Sequence, residues 1–156
     1  MVLTDEVLVD FDTRYKVYPP LRDNKHREAL VTGVLDGTID CITSDHYPLD
    51  IEHKKMEFDL AKNGTIGLES AFGALGTILP LEVIIDKLTS AKKIFKIEEL
   101  AISEESKASF TLFDPSVEHT FEKQNIHSKS KNSAFLGQKM KGKVYGIFNN
   151  GKLELN

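Results

Sequence analysis

The chain has 156 residues, with 24 acidic against 20 basic side chains for a net charge of -4; 40% of its residues are hydrophobic and 28% charged. That composition excludes a disordered chain. It also argues against nucleic acid as the main partner, because phosphate binding needs a basic surface. With a single cysteine no internal disulfide can form, which fits a reducing cytoplasm.

Met1 to Glu6 has no basic stretch followed by an apolar run, so no signal peptide is expected. No apolar run reaches the ~18 residues of a membrane-spanning helix. Tyr15-Lys16-Val17-Tyr18 is β-prone and stops at Pro19-Pro20. Asp23 is placed to cap a helix with the apolar stripe Leu30, Val31, Val34 and Leu35, ended by Gly37. Ile39 to Thr43 reads as the next strand, with Cys41 as a small buried hydrophobe. Strand, helix and strand in this order predict a βαβ unit and therefore a parallel sheet. A long polar loop follows over 47–65, and loops of that length are often functional. Leu68, Ala71, Phe72, Leu75 and Ile78 have helical spacing. Pro80 breaks that helix and starts another with Val83, Ile84 and Leu88 inward, and Ser90 is placed to cap a third.

Beyond residue 100 the pattern changes. Ala108 to Phe113 predicts a strand ended by Asp114-Pro115, and His119 to Phe121 a short extended piece. Residues 124–133 read as a polar loop. Lys143 to Phe148 and Lys152 to Leu155 flank Asn149-Asn150-Gly151, a strong hairpin signal. The lysines at 129, 131, 139, 141 and 143 read as a solvated face. The fold class expected is α/β over 1–100, with an antiparallel β-rich segment over 101–156.

Asp45-His46 is the best candidate for chemistry, because α/β barrels place working residues at the C-terminal ends of their strands. A carboxylate there can ligate a divalent metal and accept a proton from metal-bound water. An equally open reading is a turn aspartate beside a structural histidine. His26, His53, His119 and His127 lack the partners of a ligand cluster and read as surface residues. Neither glycine-rich stretch, 64–67 or 73–76, has the lysine of a phosphate loop.

The segments YKVYPPLR (15–22), REALVTGVLDGTIDCITSDH (27–46), GTIGLESAFG (64–73), KASFTLFDP (107–115) and NSAFLGQKMKGKVYGIFNNGK (132–152) resemble, in order, the C-terminal part of dihydroorotase, of the amidohydrolase superfamily. The resemblance implies the last two or so units of a (β/α)₈ barrel plus a β-rich segment of a small composite domain. It implies cyclic amide hydrolysis, the interconversion of N-carbamoyl-aspartate and dihydroorotate in pyrimidine biosynthesis. It implies zinc, with Asp45 as metal ligand and general base and the Gly67 backbone orienting substrate. The His-x-His pair and the other metal ligands of the family lie outside this segment.

Two positions depart from the family pattern. Tyr18 stands where the family has a substrate-contacting Asn, and Leu49 where it has a substrate-binding His; Lys54 or Lys55 are possible substitutes. A whole barrel takes about 250 residues, so the chain alone is expected to be inactive and to keep no zinc. The remainder of the barrel or a second copy is then the expected partner. The alternative is a non-catalytic homologue serving as a structural or activating subunit, for example with aspartate transcarbamoylase. A different cyclic amide as substrate is a third reading of the two departures.

Overall fold

A computed structural model describes residues 1–98 and 102–156. Among the described residues no helix is long and apolar enough to cross a membrane. Four helices come first: α1 (Asn24–Leu35), α2 (Ala71–Leu75), α3 (Leu81–Thr89) and α4 (Ala91–Ile94). A three-stranded antiparallel sheet follows, with β1 (Ser109–Thr120), β2 (Lys139–Asn149) and β3 (Lys152–Leu155) in that order. The boundary expected at 100/101 lies outside the described residues.

Local chemistry sets several of these ends as the sequence predicts. The Asp23 carboxylate accepts the His26 N–H at 2.9 Å and starts α1. Gly37 follows its C-terminus at φ +84°. Asn150 and Gly151, at φ 49° and 75°, form the two-residue turn between β2 and β3, where two positive φ values match the twist of the strands.

The parallel sheet is not present among the described residues. Thr13–Tyr15 is a 3₁₀ turn, capped by Asp12, which accepts the Arg14 N–H at 2.9 Å. Ile39 to Thr43 forms no strand and carries no ladder. Its amides go to helices instead, Ile39 to the Gly33 carbonyl and Ile42 to the Lys87 carbonyl, both at 2.8 Å. Parallel strands are stable when several pair and both faces are covered, and two strands alone are marginal. This chain supplies too few to close such a sheet.

Three smaller differences have local causes. Ser90 makes no side-chain cap; its hydroxyl donates to the Asp40 carbonyl at 2.6 Å and ties α4 to the 39–43 segment. The second helix is only five residues long. β1 runs on past Asp114-Pro115, because a register shift between Asp114 and Glu118 absorbs the proline, which has no N–H to give to the ladder.

α2 is the keystone of the packing. Ala74 joins Ile66, Phe121, Ile126 and Met140 in one apolar cluster, while Leu75 joins Val34, Leu79 and Ile84 in the other. The helix sits directly on β2, and glycines make that approach possible. A Cβ on Gly73 would lie 3.0 Å from the Met140 Cβ, and one on Gly76 would collide with the Lys141 carbonyl oxygen. Gly142 faces the Phe72 ring, at φ +98°.

Much apolar surface is left uncovered. A compact chain of 17.5 kDa exposes about 7,900 Å² by surface scaling, whereas this one exposes 10737 Å². Leu30 and Leu35, expected on the inner stripe of α1, are 43% and 54% exposed, and only Val34 of that stripe is fully buried.

Gly142→Ala is expected to destabilise the chain by about 1–3 kcal/mol, because the new methyl meets the Phe72 ring and the backbone is left-handed there. A urea unfolding midpoint unchanged from the parent would contradict this packing.

Candidate functional site

Asp45 follows the apolar 39–43 segment. Its φ of +43° is in the left-handed region, which Asp tolerates better than most residues. Asp45 and His46 differ in exposure. Asp45 is exposed, and among the described residues no hydrogen bond or ion pair reaches its carboxylate. His46 points inward, 18% exposed at its side chain.

His46 is held by backbone. Its Nδ1 accepts the N–H groups of Gly67 and Leu68, each at 3.2 Å. A nitrogen that accepts in this way has no proton, so Nε2 carries it. Glu69 Oε2 lies 3.9 Å from the same Nδ1 but makes no hydrogen bond, and Glu69 Oε1 accepts the Ser128 N–H at 2.8 Å. Gly67 is forced to be glycine here: a Cβ would collide with the Ser44 carbonyl oxygen, one residue before Asp45. The fold therefore brings Gly67 against Ser44, next to Asp45.

Tyr18 and Leu49 differ sharply in exposure. Tyr18 is 74% exposed. Leu49 is buried at 9%, packed toward Gly64, and its carbonyl accepts the Ser130 hydroxyl at 2.8 Å. It lines a cleft of about 750 Å³ together with residues of the 50–52 and 123–136 segments.

Lys54 does not replace the missing histidine. It is only 2% exposed, and its ammonium donates to the carbonyls of Lys16, Lys62 and Gly64 at 3.0, 2.9 and 3.1 Å. All its donors are consumed by backbone. Burial, with the Lys16 ammonium adding to it and Asp12 opposing, lowers its pKa to about 8. Lys16 returns the contact by donating to the Phe58 and Asp59 carbonyls at 2.7 and 2.8 Å. Thr13 completes the clasp with a 2.6 Å hydrogen bond to the Lys54 carbonyl. Sequence reading missed this arrangement, because an isolated lysine in a polar loop normally faces water.

Among the described residues no three of His, Cys, Asp or Glu come together to hold a metal ion. Asp45 is a single carboxylate, His46 Nδ1 is engaged by amides, and Cys41 is only partly buried within the 39–43 segment. The residues present do not fit a zinc site by themselves, since zinc normally takes three protein ligands or more.

No protein-family model matches the chain. Among curated proteins it is 39% identical, over 97% of its own length, to the dihydroorotase of Caldicellulosiruptor saccharolyticus. It is 40% identical over 90% of its length to that of Endomicrobium trichonymphae. It spans only 37% and 35% of those two proteins. Among solved structures, the L-hydantoinase of Arthrobacter aurescens superposes over 99% of this chain and 38% of its own, at a TM-score of 0.83 and 21% identity. The inactive dihydroorotase-like domain of the CAD-like multifunctional protein of Chaetomium thermophilum superposes over 85% of this chain and 36% of its own, at a TM-score of 0.59 and 18% identity. These two share the fold.

Between about pH 8 and the ordinary lysine range the folded chain has released the Lys54 proton while the unfolded chain still holds it. Stability therefore rises with pH across that window. Lys54→Met, which strands three buried carbonyls, is expected to lose about 2 kcal/mol or more at neutral pH. In urea titrations from pH 7 to 10.5, the gap between parent and variant is expected to widen with pH; a constant gap would contradict the burial of a charged Lys54.

Proposed function

We propose, from the premise that the chain belongs to the dihydroorotase family and matches the C-terminal part of its members, that it is one piece of a dihydroorotase-like cyclic amidohydrolase and is inactive by itself. The observation that carries the reading is the pairing of an exposed, unengaged Asp45 with the absence of a metal-ligating cluster among the described residues. The carboxylate is presented, and no metal-holding cluster for it to act with forms among the described residues.

In a completed barrel the parts of this chain take distinct roles in the interconversion of N-carbamoyl-aspartate and dihydroorotate. Zinc, if held together with residues from outside this chain, would supply Lewis acidity. Asp45 accepts or returns the proton at its carboxylate. Its lack of competing hydrogen bonds leaves both oxygens free for that work. Gly67 lets backbone come close to the substrate, with His46 fixing the amides of Gly67 and Leu68. The exposed apolar side chains of α1, Leu30 and Leu35, support the remainder of the barrel as the partner.

The second reading is a non-catalytic subunit, for example beside aspartate transcarbamoylase. The substituted positions favour it. Leu49 donates no hydrogen bond to a substrate carboxylate, and Lys54 is consumed elsewhere. A site built on such hydrogen bonds is very sensitive to their loss. The fold it shares with the inactive Chaetomium thermophilum domain is compatible with this role.

The purified chain supplied with zinc is expected to hydrolyse dihydroorotate no faster than zinc alone. Turnover above that background, abolished by Asp45→Asn, would overturn the claim that the chain is inactive by itself.

A further inference from the structure

The three-stranded sheet ends in an edge that the amidohydrolase reading does not use. β3 pairs with β2 on one side, and among the described residues no strand lies on its other side. The Asn156 N–H donates to the Tyr145 carbonyl at 2.8 Å, just past the last ladder pair. Opposed residues of an antiparallel ladder alternate between hydrogen-bonded and non-bonded pairs. Counting back from Asn156, Leu155 opposite Gly146 and Leu153 opposite Phe148 are the non-bonded pairs, and Glu154 opposite Ile147 is a bonded one. Glu154 therefore turns its backbone groups to β2, while Leu153 and Leu155 aim theirs at the open edge.

The side chains at this end of the sheet sort by face. Phe110, Phe148 and Leu153 stand in one row across the three strands, and Leu112, Gly146 and Leu155 in the next. The Phe110 and Phe148 rings stack with centroids 5.2 Å apart. Leu153 and Leu155 at the edge are 52% and 67% exposed. The other face of β3 carries Lys152 and Glu154, which make no ion pair among the described residues. The outer edge of β1 is of a different kind, because two register shifts and Pro115 interrupt it and blunt it against a partner.

We propose that β3 pairs antiparallel with β3 of a second copy of this chain, about a two-fold axis at Leu153. In that register the two Leu153 residues exchange their outward N–H and C=O groups. Lys152 then stands opposite the partner's Glu154, and Glu154 opposite the partner's Lys152, so the charge pattern is complementary to itself. A lysine on an edge strand ordinarily wards off a partner; here the carboxylate two residues on supplies its counter-charge. The apolar row of Phe110, Phe148 and Leu153 continues into the same row of the second copy. The next register that keeps the outward groups paired sets Glu154 opposite Glu154, and like charges directly opposite are destabilising. A contact that uses one patch twice closes as a dimer and does not propagate along that edge. It involves neither Asp45 nor a metal, so it stands apart from the inactivity proposed above.

Sedimentation equilibrium of the purified chain under reducing conditions and at low salt is the test. A dimer with a dissociation constant below about 1 mM is expected. Lys152→Glu alone, and Glu154→Lys alone, set like charges opposite at two places and are expected to weaken it about tenfold. The two substitutions together exchange the charges and are expected to restore the parent's constant. Both side chains are exposed, so each variant is expected to keep the parent's circular dichroism spectrum. A chain still monomeric at about 1 mM, a dimer indifferent to the single reversals, or a double variant as weak as the singles overturns the proposal.

Discussion

A buried ammonium organises the half of the molecule that holds the candidate site. Lys54 donates to three carbonyls from two separate stretches of chain, at residue 16 and at residues 62 and 64. Removing a cation from water costs several kcal/mol, so it is tolerated only where hydrogen bonds replace the lost hydration. Three carbonyl oxygens do so here. The geometry is reciprocal, since Lys16 donates back into the loop that Lys54 anchors. The clasp also extends outward. The Gly64 carbonyl receives both Lys54 and the Asn132 side chain, and the Asn132 carbonyl receives the Ile66 amide. From Ile66 the chain passes to Gly67 and Leu68, whose amides hold His46 beside Asp45. The position of Asp45 is thus set by a polar network that begins at Lys54, nine residues further along the chain.

Patterns that are local in sequence were legible: the Asp23 cap, the Gly37 stop, the inward face of Ile84, and the Asn150-Gly151 turn. Each depends on chemistry within a few residues. The 39–43 segment was not, because a strand is defined by its neighbours. Its apolar, β-branched composition suits a covered barrel strand, yet the partners that would make it one are missing, and its amides turn to α1 and α3. Pro115 was read as a strand end because the bulge that tolerates it depends on β2. Of the candidate site, Asp45 was singled out by its place after an apolar segment and Gly67 through resemblance, and the structure sets their segments together through Ser44. Lys54 escaped, since no sequence pattern distinguishes a lysine bound to three carbonyls from one in solvent.

The exposed surface and the sequence similarity meet at the same conclusion. The chain spans 37% of the Caldicellulosiruptor saccharolyticus dihydroorotase, and its surface is larger than that of a compact chain of its mass. Apolar residues such as Leu30, Leu35 and Leu68 have nothing over them. An edge without paired neighbours is a docking site or an aggregation hazard. We propose that these residues form the seam to the rest of a barrel.

Hydrogen exchange of this chain, alone and mixed with the separately prepared N-terminal two thirds of the Caldicellulosiruptor saccharolyticus dihydroorotase, tests that claim most directly. The predicted result is a one-to-one complex in which the amides of α1 and of residues 39–47 become protected while those of β3 do not. No complex, or protection confined to the three-stranded sheet, would contradict it.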